Sequence, residues 1–136
     1  MSGGSGFIGP FDNTGDWEIT LQAKFSNTNC GIGLYAPTDT TRDNNCVKVI
    51  GGSDRKIYAY VNGTEVTQNV KLYLTSYNTY EDYTIKKSND VLTFQKGTDT
   101  AKTVSWSLIN TLSTLAIGVD SWGHTATIKN IVVKPL

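Results

Sequence analysis

The residues of this chain best suited to chemistry are aromatic side chains set beside amide, carboxyl and imidazole groups. Seven tyrosines and three tryptophans occur in 136 residues. A Tyr or Trp ring offers a flat apolar face, while Asn, Asp, Gln and His offer hydrogen bonds at its rim. That combination recognises a polyhydroxylated ring, which has an apolar face and a hydroxylated edge. Tyr58, Tyr60 and Tyr73, joined by Tyr35, fall at outward positions of strand-like segments. Tyr77, Asn78, Tyr80, Glu81 and Asp82 form one polar-aromatic loop, and Asp120, Trp122, Gly123 and His124 form another. The expected ligand-binding residues are therefore Tyr58, Tyr60, Tyr73, Tyr77, Asn78, Asp120, Trp122 and His124. Each also has a purely structural reading. Tyrosine decorates many solvated sheets, and a Trp beside a Gly serves equally well to plug the edge of a fold.

Catalytic and metal constellations are thin by comparison. His124 is the only histidine, and although Asp120 and Ser121 stand near it, no nucleophile-elbow motif supports a Ser-His-Asp arrangement. Asp16, Glu18, Asp82 and Asp120 could in principle supply the carboxylate pair of a glycosidase. Most acidic residues here adjoin turn positions, however, where Asp serves the backbone. No catalytic residue is assigned, and the chain does not read as an enzyme. Zinc needs four ligands, and the chain offers two cysteines and one histidine. Asp39, Asp43, Asn44 and Asn45 present hard oxygen atoms of the kind calcium selects. Their spacing is not that of an EF-hand, and a polar hairpin connection looks the same. No cofactor is expected beyond that one calcium candidate.

Charge narrows the partners. Lys plus Arg equals Asp plus Glu at twelve each, so there is no clustered basic excess to neutralise phosphates. Lys86-Lys87 and Arg55-Lys56 read as solvated pairs, and no nucleic-acid partner is expected. No apolar run approaches the ~18 residues of a membrane-spanning helix, so no membrane insertion is expected. Met1-Ser2-Gly3-Gly4-Ser5-Gly6 has the composition of a flexible linker or cloning scar. Residues 7–136 show no internal repeat or boundary and read as one domain.

The elements that must position these groups are strands. Period-two alternation recurs along the chain, and helical periodicity is almost absent. In Trp17–Phe25, Trp17, Ile19, Leu21, Ala23 and Phe25 share one face. Segments 30–35 and 46–50 pair with Leu34 opposite Val47 and Ile32 opposite Val49. Asn62-Gly63 is a strong hairpin signal between 56–61 and 64–67, and it sets Ala59 opposite Val66, with Ile57, Ala59, Val61 and Val66 on one face. A strand is expected over 70–75, with Val70, Leu72 and Leu74 inward. A second hairpin turns at Ser88-Asn89, pairing Ile85 with Leu92 and Tyr83 with Phe94. Gly97-Thr98-Asp99 starts a turn, and segment 103–106 returns from it. Segment 107–113 is a helical turn or irregular crossing, and strands over 115–119 and 126–133 close the chain. Ten or so short strands with turns between them predict an all-β, antiparallel two-sheet sandwich of jelly-roll type. Cys46, opposite Tyr35, points outward while Cys30 points inward. Opposite faces cannot meet the geometry of a disulfide, which favours free thiols.

Trp17-Glu18-Ile19-Thr20-Leu21 followed by Cys30-Gly31-Ile32-Gly33-Leu34 resembles the opening strands of concanavalin A-like (laminin-G-like) lectin and glucanase sandwiches. Tyr83-Thr84-Ile85-Lys86-Lys87 with Leu92-Thr93-Phe94 is similar to their central hairpin. Leu115–Val119 and Ile128–Val133 are similar to their ending, in which the last strand returns beside the first. The resemblance covers about residues 11–136 and extends in style to archaeal adhesin-like proteins and viral tail or fibre proteins. It implies a non-catalytic carbohydrate-binding or adhesion module of a larger cell-surface or viral attachment protein. The implied partners are a cell-surface glycan or surface protein, with homo-oligomerisation through the parent protein, at an extracellular, cell-surface or virion location. The metal-ligand pattern of legume lectins is missing, so their calcium site does not carry over. A structural or oligomerising spacer without a small ligand is the alternative reading, and a glycoside hydrolase or lyase is the third.

Overall fold

Alternating apolar and polar residues commit each strand to burying one face, and a computed structural model of the chain shows how that burial is achieved. It describes residues 7–27, 29–38, 43–50, 56–66, 70–72, 77–121 and 124–136. Among the described residues there are eleven strands and one 3-10 turn. The first six strands are β1 (Phe7–Asp12), β2 (Trp17–Phe25), β3 (Cys30–Tyr35), β4 (Cys46–Ile50), β5 (Ile57–Val61) and β6 (Thr64–Glu65). They are followed by β7 (Glu81–Ser88), β8 (Val91–Lys96), β9 (Lys102–Ser105), the 3-10 turn Ser107–Thr111, β10 (Thr114–Ser121) and β11 (Ala126–Pro135). All pairings are antiparallel. A six-stranded sheet runs β1-β10-β3-β4-β5-β6, and a five-stranded sheet runs β11-β2-β7-β8-β9. The architecture is the all-β two-sheet sandwich that the alternation predicts, and β11 returns beside β2.

The core is the seam between the sheets. Ile19, Leu21, Phe25, Ile85, Leu92 and Phe94 from the five-stranded sheet join Ile32, Leu34, Val47, Val49, Ile57, Leu115 and Ile117 from the six-stranded sheet in one buried cluster. The expected β3–β4 register holds, with Leu34 opposite Val47 and Ile32 opposite Val49. At the Asn62-Gly63 turn both residues take positive φ, 51° and 80°, as a tight two-residue hairpin requires. The Val66 N–H donates to the Ala59 carbonyl, which is the predicted alignment. Val66 nevertheless stays 43% exposed, because β6 ends at Glu65 on the sheet edge and the interior does not extend beneath it.

Four further expectations are corrected. The β7–β8 hairpin turns at Asn89-Asp90, and its register is Ile85 opposite Phe94 and Tyr83 opposite Lys96. The slip is two residues, so every side chain keeps its face. Asn89 takes φ 59°, and its N–H is held by the Asp16 carboxylate at 2.9 Å, which places the turn one residue later. Lys86-Lys87 is not a solvated pair: Lys86 is 50% exposed but Lys87 only 5%. The Lys87 stem follows the inward face of β7, and its ammonium donates to the Gly15 carbonyl at 2.8 Å. Lys96 does the same at the hairpin's other end, 3.4 Å from Glu81 and 3.7 Å from Asp99. Both lysines cover the ends of the core with their stems and bring their charges out to oxygen atoms.

The strand expected over 70–75 is reduced, among its described residues, to a single bridge between Lys71 and Lys56. Leu72 is buried in the core as predicted, and Leu74 lies outside the described residues. β1, finally, is a strand the alternation did not reveal. Gly9 and Pro10 interrupt its pattern, and the ladder with β10 shifts register between Ile8 and Phe11 to accommodate them. An edge strand tolerates a proline in this way.

Asn13, just after β1, is a buried side chain whose importance the sequence does not advertise. Its amide oxygen accepts the Trp17 indole N–H at 2.8 Å. Its amide nitrogen donates to the carbonyls of Ile109 and Leu112, each at 2.8 Å. One side chain thus ties β2 to the end of the 3-10 turn and satisfies three buried groups. Replacing Asn13 with Ala leaves all three without that partner, at about 1–3 kcal/mol for each group that stays dry. The expected loss is at least about 2 kcal/mol in urea denaturation, and a loss below about 0.5 kcal/mol would show that the tie is dispensable.

Candidate functional site

Register decides what stands on the outer face of the six-stranded sheet. One row reads Ala116, Tyr35, Cys46, Tyr60 and Glu65 across β10, β3, β4, β5 and β6. The next reads Gly118, Gly33, Lys48 and Tyr58. Ile57 and Ala59 are buried in the core cluster, so Tyr58 and Tyr60 emerge on the opposite side. Both are half-buried. Their rings lie nearly parallel, 10° apart, with centroids separated by 6.2 Å.

Charged groups bracket the two rings. The Lys56 ammonium lies 4.8 Å from the Tyr58 centroid and 2.6 Å from a Glu65 carboxylate oxygen. The Lys48 ammonium lies 5.5 Å from the Tyr60 centroid and is ion-paired with Asp43. Lys48 is only 1% exposed, and its Cβ stands 2.7 Å from where a Cβ on Gly33 would sit. The lysine stem is thus laid across a glycine that leaves it room. Each cation faces the electron-rich side of a ring, which holds the rings as well as the ammonium groups. Tyr35, expected to join this platform, is completely buried. It stands on the outer face by parity, between Ala116 and Cys46 in its row. Cys46 is likewise outward by register and buried, whereas Cys30 belongs to the core, and the two are not joined in a disulfide.

β5 is held from the interior. Trp106, buried after β9, donates its indole N–H to the Tyr60 carbonyl at 3.1 Å and its backbone N–H to Asp90 at 2.9 Å. The indole bond crosses from the end of one sheet to the strand that carries both half-buried rings. The segment Asp43–Asn45 docks on the β5–β6 turn. The Asn45 side-chain oxygen accepts the Asn62 N–H, and the Asn44 carbonyl accepts the Gly63 N–H, each at 2.9 Å. The oxygen atoms considered for calcium are therefore engaged at Asp43 and Asn45, and Asp39 lies outside the described residues. Among the described residues no group of three or more His, Cys, Asp or Glu side chains is arranged to hold a metal ion.

Described residues of the two expected loop clusters adjoin the end of β2. The Asn78 N–H donates to the Phe25 carbonyl at 2.7 Å, and Ser26 and Thr125 exchange hydrogen bonds at 2.9 and 2.8 Å. Tyr77 and Asn78 thereby approach the same corner as His124. Tyr77 is half-buried, and its hydroxyl is buried without a hydrogen-bond partner among the described residues. Asn78 is exposed at φ 60°, and His124 is half-buried. Asp120 aligns with Gly31 in the β10–β3 ladder. Tyr73 and Trp122 lie outside the described residues. Lys48, Lys56 and Glu65 were not singled out from sequence. The signal was available, since Lys48 is opposite Tyr58 and Glu65 opposite Tyr60 once the registers are completed.

Acidic side chains gather around a cavity of about 390 Å³ formed by Glu81, Asp82, Lys96, Gly97, Thr98 and Asp99. Lys96 ion-pairs both Glu81 and Asp99. Burial, reinforced by those two carboxylates, pushes the Tyr83 phenol well above its usual pKa. These contacts account for the cluster as a charged closure of the core.

No protein-family model and no curated protein sequence matches the chain. Solved structures do. The chain is similar to the carbohydrate-binding module CBM66 from Bacillus subtilis, with 16% identity, a TM-score of 0.64, and 98% of this chain and 84% of that one covered. It is similar to a toad ovary galectin in complex with thio-digalactose, with 6% identity, a TM-score of 0.71, and coverage of 96% and 98%. A protein from Parabacteroides distasonis assigned as a glycosyl hydrolase aligns at 12% identity and TM-score 0.65, with coverage of 97% and 83%. At these identities the likeness is one of fold alone, the antiparallel two-sheet β-sandwich that these proteins share, in keeping with the sandwich the resemblance implied.

The Trp106–Tyr60 bond is open to a direct test. Trp106→Phe keeps an aromatic ring but removes the donor and some volume, with an expected loss of about 1–3 kcal/mol in denaturant titration. Stability within about 0.5 kcal/mol of the parent would mean that this bond does not hold β5.

Proposed function

We propose that this chain binds carbohydrate without catalysing a reaction, using the outer face of the six-stranded sheet. The observation that carries the reading is the parallel pair Tyr58 and Tyr60, bracketed by Lys56–Glu65 and Lys48–Asp43. The rings supply the apolar surface on which a sugar face stacks, and Lys56 and Glu65 supply a donor and an acceptor for its hydroxyls. Tyr77, Asn78 and His124, with Asp120, Tyr73 and Trp122, make an accessory group. The fold it shares with a carbohydrate-binding module and a galectin supports this reading. The chain then acts as a recognition or adhesion module of a larger surface or viral attachment protein outside the cell. A shallow site of this kind is weak on its own and gains from repetition through avidity.

A glycan array followed by calorimetric titration tests the proposal. Both rings lie outside the core cluster, so the double variant Tyr58→Ala/Tyr60→Ala should melt close to the parent while losing affinity about tenfold or more. A blank array, or unchanged affinity in the double variant, removes the reading. A second reading, an oligomerising spacer, is favoured by the exposed Ile8, Val133 and Leu136. Sedimentation equilibrium showing two or three chains per particle would support it, and a monomer at all concentrations would count against it.

A further inference from the structure

The opposite side of the molecule, the outer face of the five-stranded sheet, carries a groove that none of the preceding roles uses. Its volume is about 360 Å³, and Thr20, Gln22, Asp82, Thr84 and Asn130 line it together with Leu21 and Tyr83. That volume lies at the small end of ligand sites, which run from about 300 to 1,000 Å³, and suits one sugar-sized ring.

Its wall is built by a break in the ladder. Lys129 pairs with Gln22 and Val132 with Thr20, so β11 carries one residue more than β2 between these points. Asn130 sits in this bulge at φ 55°, a conformation in which bulges re-aim side chains. Its amide nitrogen donates to the Gln22 side-chain oxygen at 2.7 Å, and the Gln22 amide donates to Asp82 at 3.1 Å. This relay sets the orientation of the Gln22 amide. It leaves the second Asp82 oxygen and the Asn130 oxygen as acceptors. The hydroxyls of Thr20 and Thr84, which stand opposite one another in the β2–β7 ladder, make no bond within the described residues and serve as donors or acceptors. Val132, 57% exposed, continues the Thr20–Thr84 row as an apolar neighbour.

We propose that this groove is a second binding site, for a single pyranose ring, separate from the Tyr58–Tyr60 face. Donors and acceptors alternate within the reach of one ring, and an exposed aliphatic side chain borders them. The oriented relay lowers the cost of ordering polar groups around a polyol. The inference stands whether or not the tyrosine face binds sugar. The expected affinity is millimolar, as befits a small, open site.

Nuclear magnetic resonance titration of the whole chain with the methyl glycosides of glucose, galactose, mannose and glucuronic acid tests it. At least one of these probes should give saturable shifts at the amides of Thr20, Gln22, Thr84 and Asn130. Thr84→Val, which removes one hydroxyl at nearly constant shape, should weaken that binding about tenfold, as should Asn130→Gly, which tolerates the positive φ. The same spectra report whether each variant is folded, and Thr84→Val answers alone if Asn130→Gly is not. The shifts should persist in the Tyr58→Ala/Tyr60→Ala background. Absence of saturable shifts with all four probes overturns the proposal. So does insensitivity to Thr84→Val, or loss of the shifts in the double tyrosine variant.

Discussion

Everything on the surface of this protein follows from which residues must fill the seam between its two sheets. A strand has one side chain per position and alternates strictly, so placing Ile57 and Ala59 in the seam forces Tyr58 and Tyr60 out. A slip of one residue would bury two phenols and expose two aliphatic side chains, reversing the burial of the whole strand. The Trp106 indole, bound to the Tyr60 carbonyl, adds a directional constraint to that hydrophobic one. A core residue from one sheet thereby fixes the backbone from which the rings of the other sheet's outer face project. The proposed site and the core are two sides of the same strand.

Three long or branched polar side chains inside the fold obey a second rule: each is carried to a partner. Asn13 satisfies an indole and two carbonyls. Lys87 and Lys96 lie inward by parity at opposite ends of β7–β8, and their ammonium groups reach a carbonyl and a pair of carboxylates. Long stems make this possible, since a lysine can lend methylenes to the core and still keep its charge outside it. Close approach elsewhere depends on glycine. A Cβ at Gly31 would fall 1.9 Å from the Val49 carbonyl oxygen, inside the neighbouring strand, so β3 and β4 pack at a distance no larger residue allows.

The interior was legible in the sequence because periodicity encodes it directly. β2, the β3–β4 register and the Asn62-Gly63 hairpin all follow from alternation and turn chemistry, and the return of β11 beside β2 is what the family resemblance implied. What was illegible depends on interactions between distant residues. The two-residue slip of β7–β8 preserves parity, so the hydrophobic pattern could not detect it, and the contact that fixes it comes from Asp16. β1 was hidden by Gly9 and Pro10. Tyr35 and Cys46 read as outward, which is right as to face, yet both are buried. Parity tells which side a residue is on, and only the folded chain tells whether that side is covered. For the same reason Tyr58 and Tyr60 were visible as a pair, while their charged neighbours emerged only from the completed cross-strand rows.

Those neighbours divide the tyrosine face into unequal halves. Lys56 and Glu65 are partly exposed, and an ion pair of that kind contributes about 0–1 kcal/mol, with a similar amount for a cation on an exposed ring. On the proposed reading, a ligand hydroxyl would replace either contact at little cost, and the Tyr58 end is the adjustable one. Lys48 is buried against Gly33 and tied to Asp43, so displacing it would strand a charge away from water at a cost of several kcal/mol. The Tyr60 end is accordingly rigid, held by Lys48 on its outer side and by Trp106 through its backbone. A platform with one fixed ring and one adjustable ring is what the proposed carbohydrate site would use to orient a flat ligand while tolerating differences at its far edge.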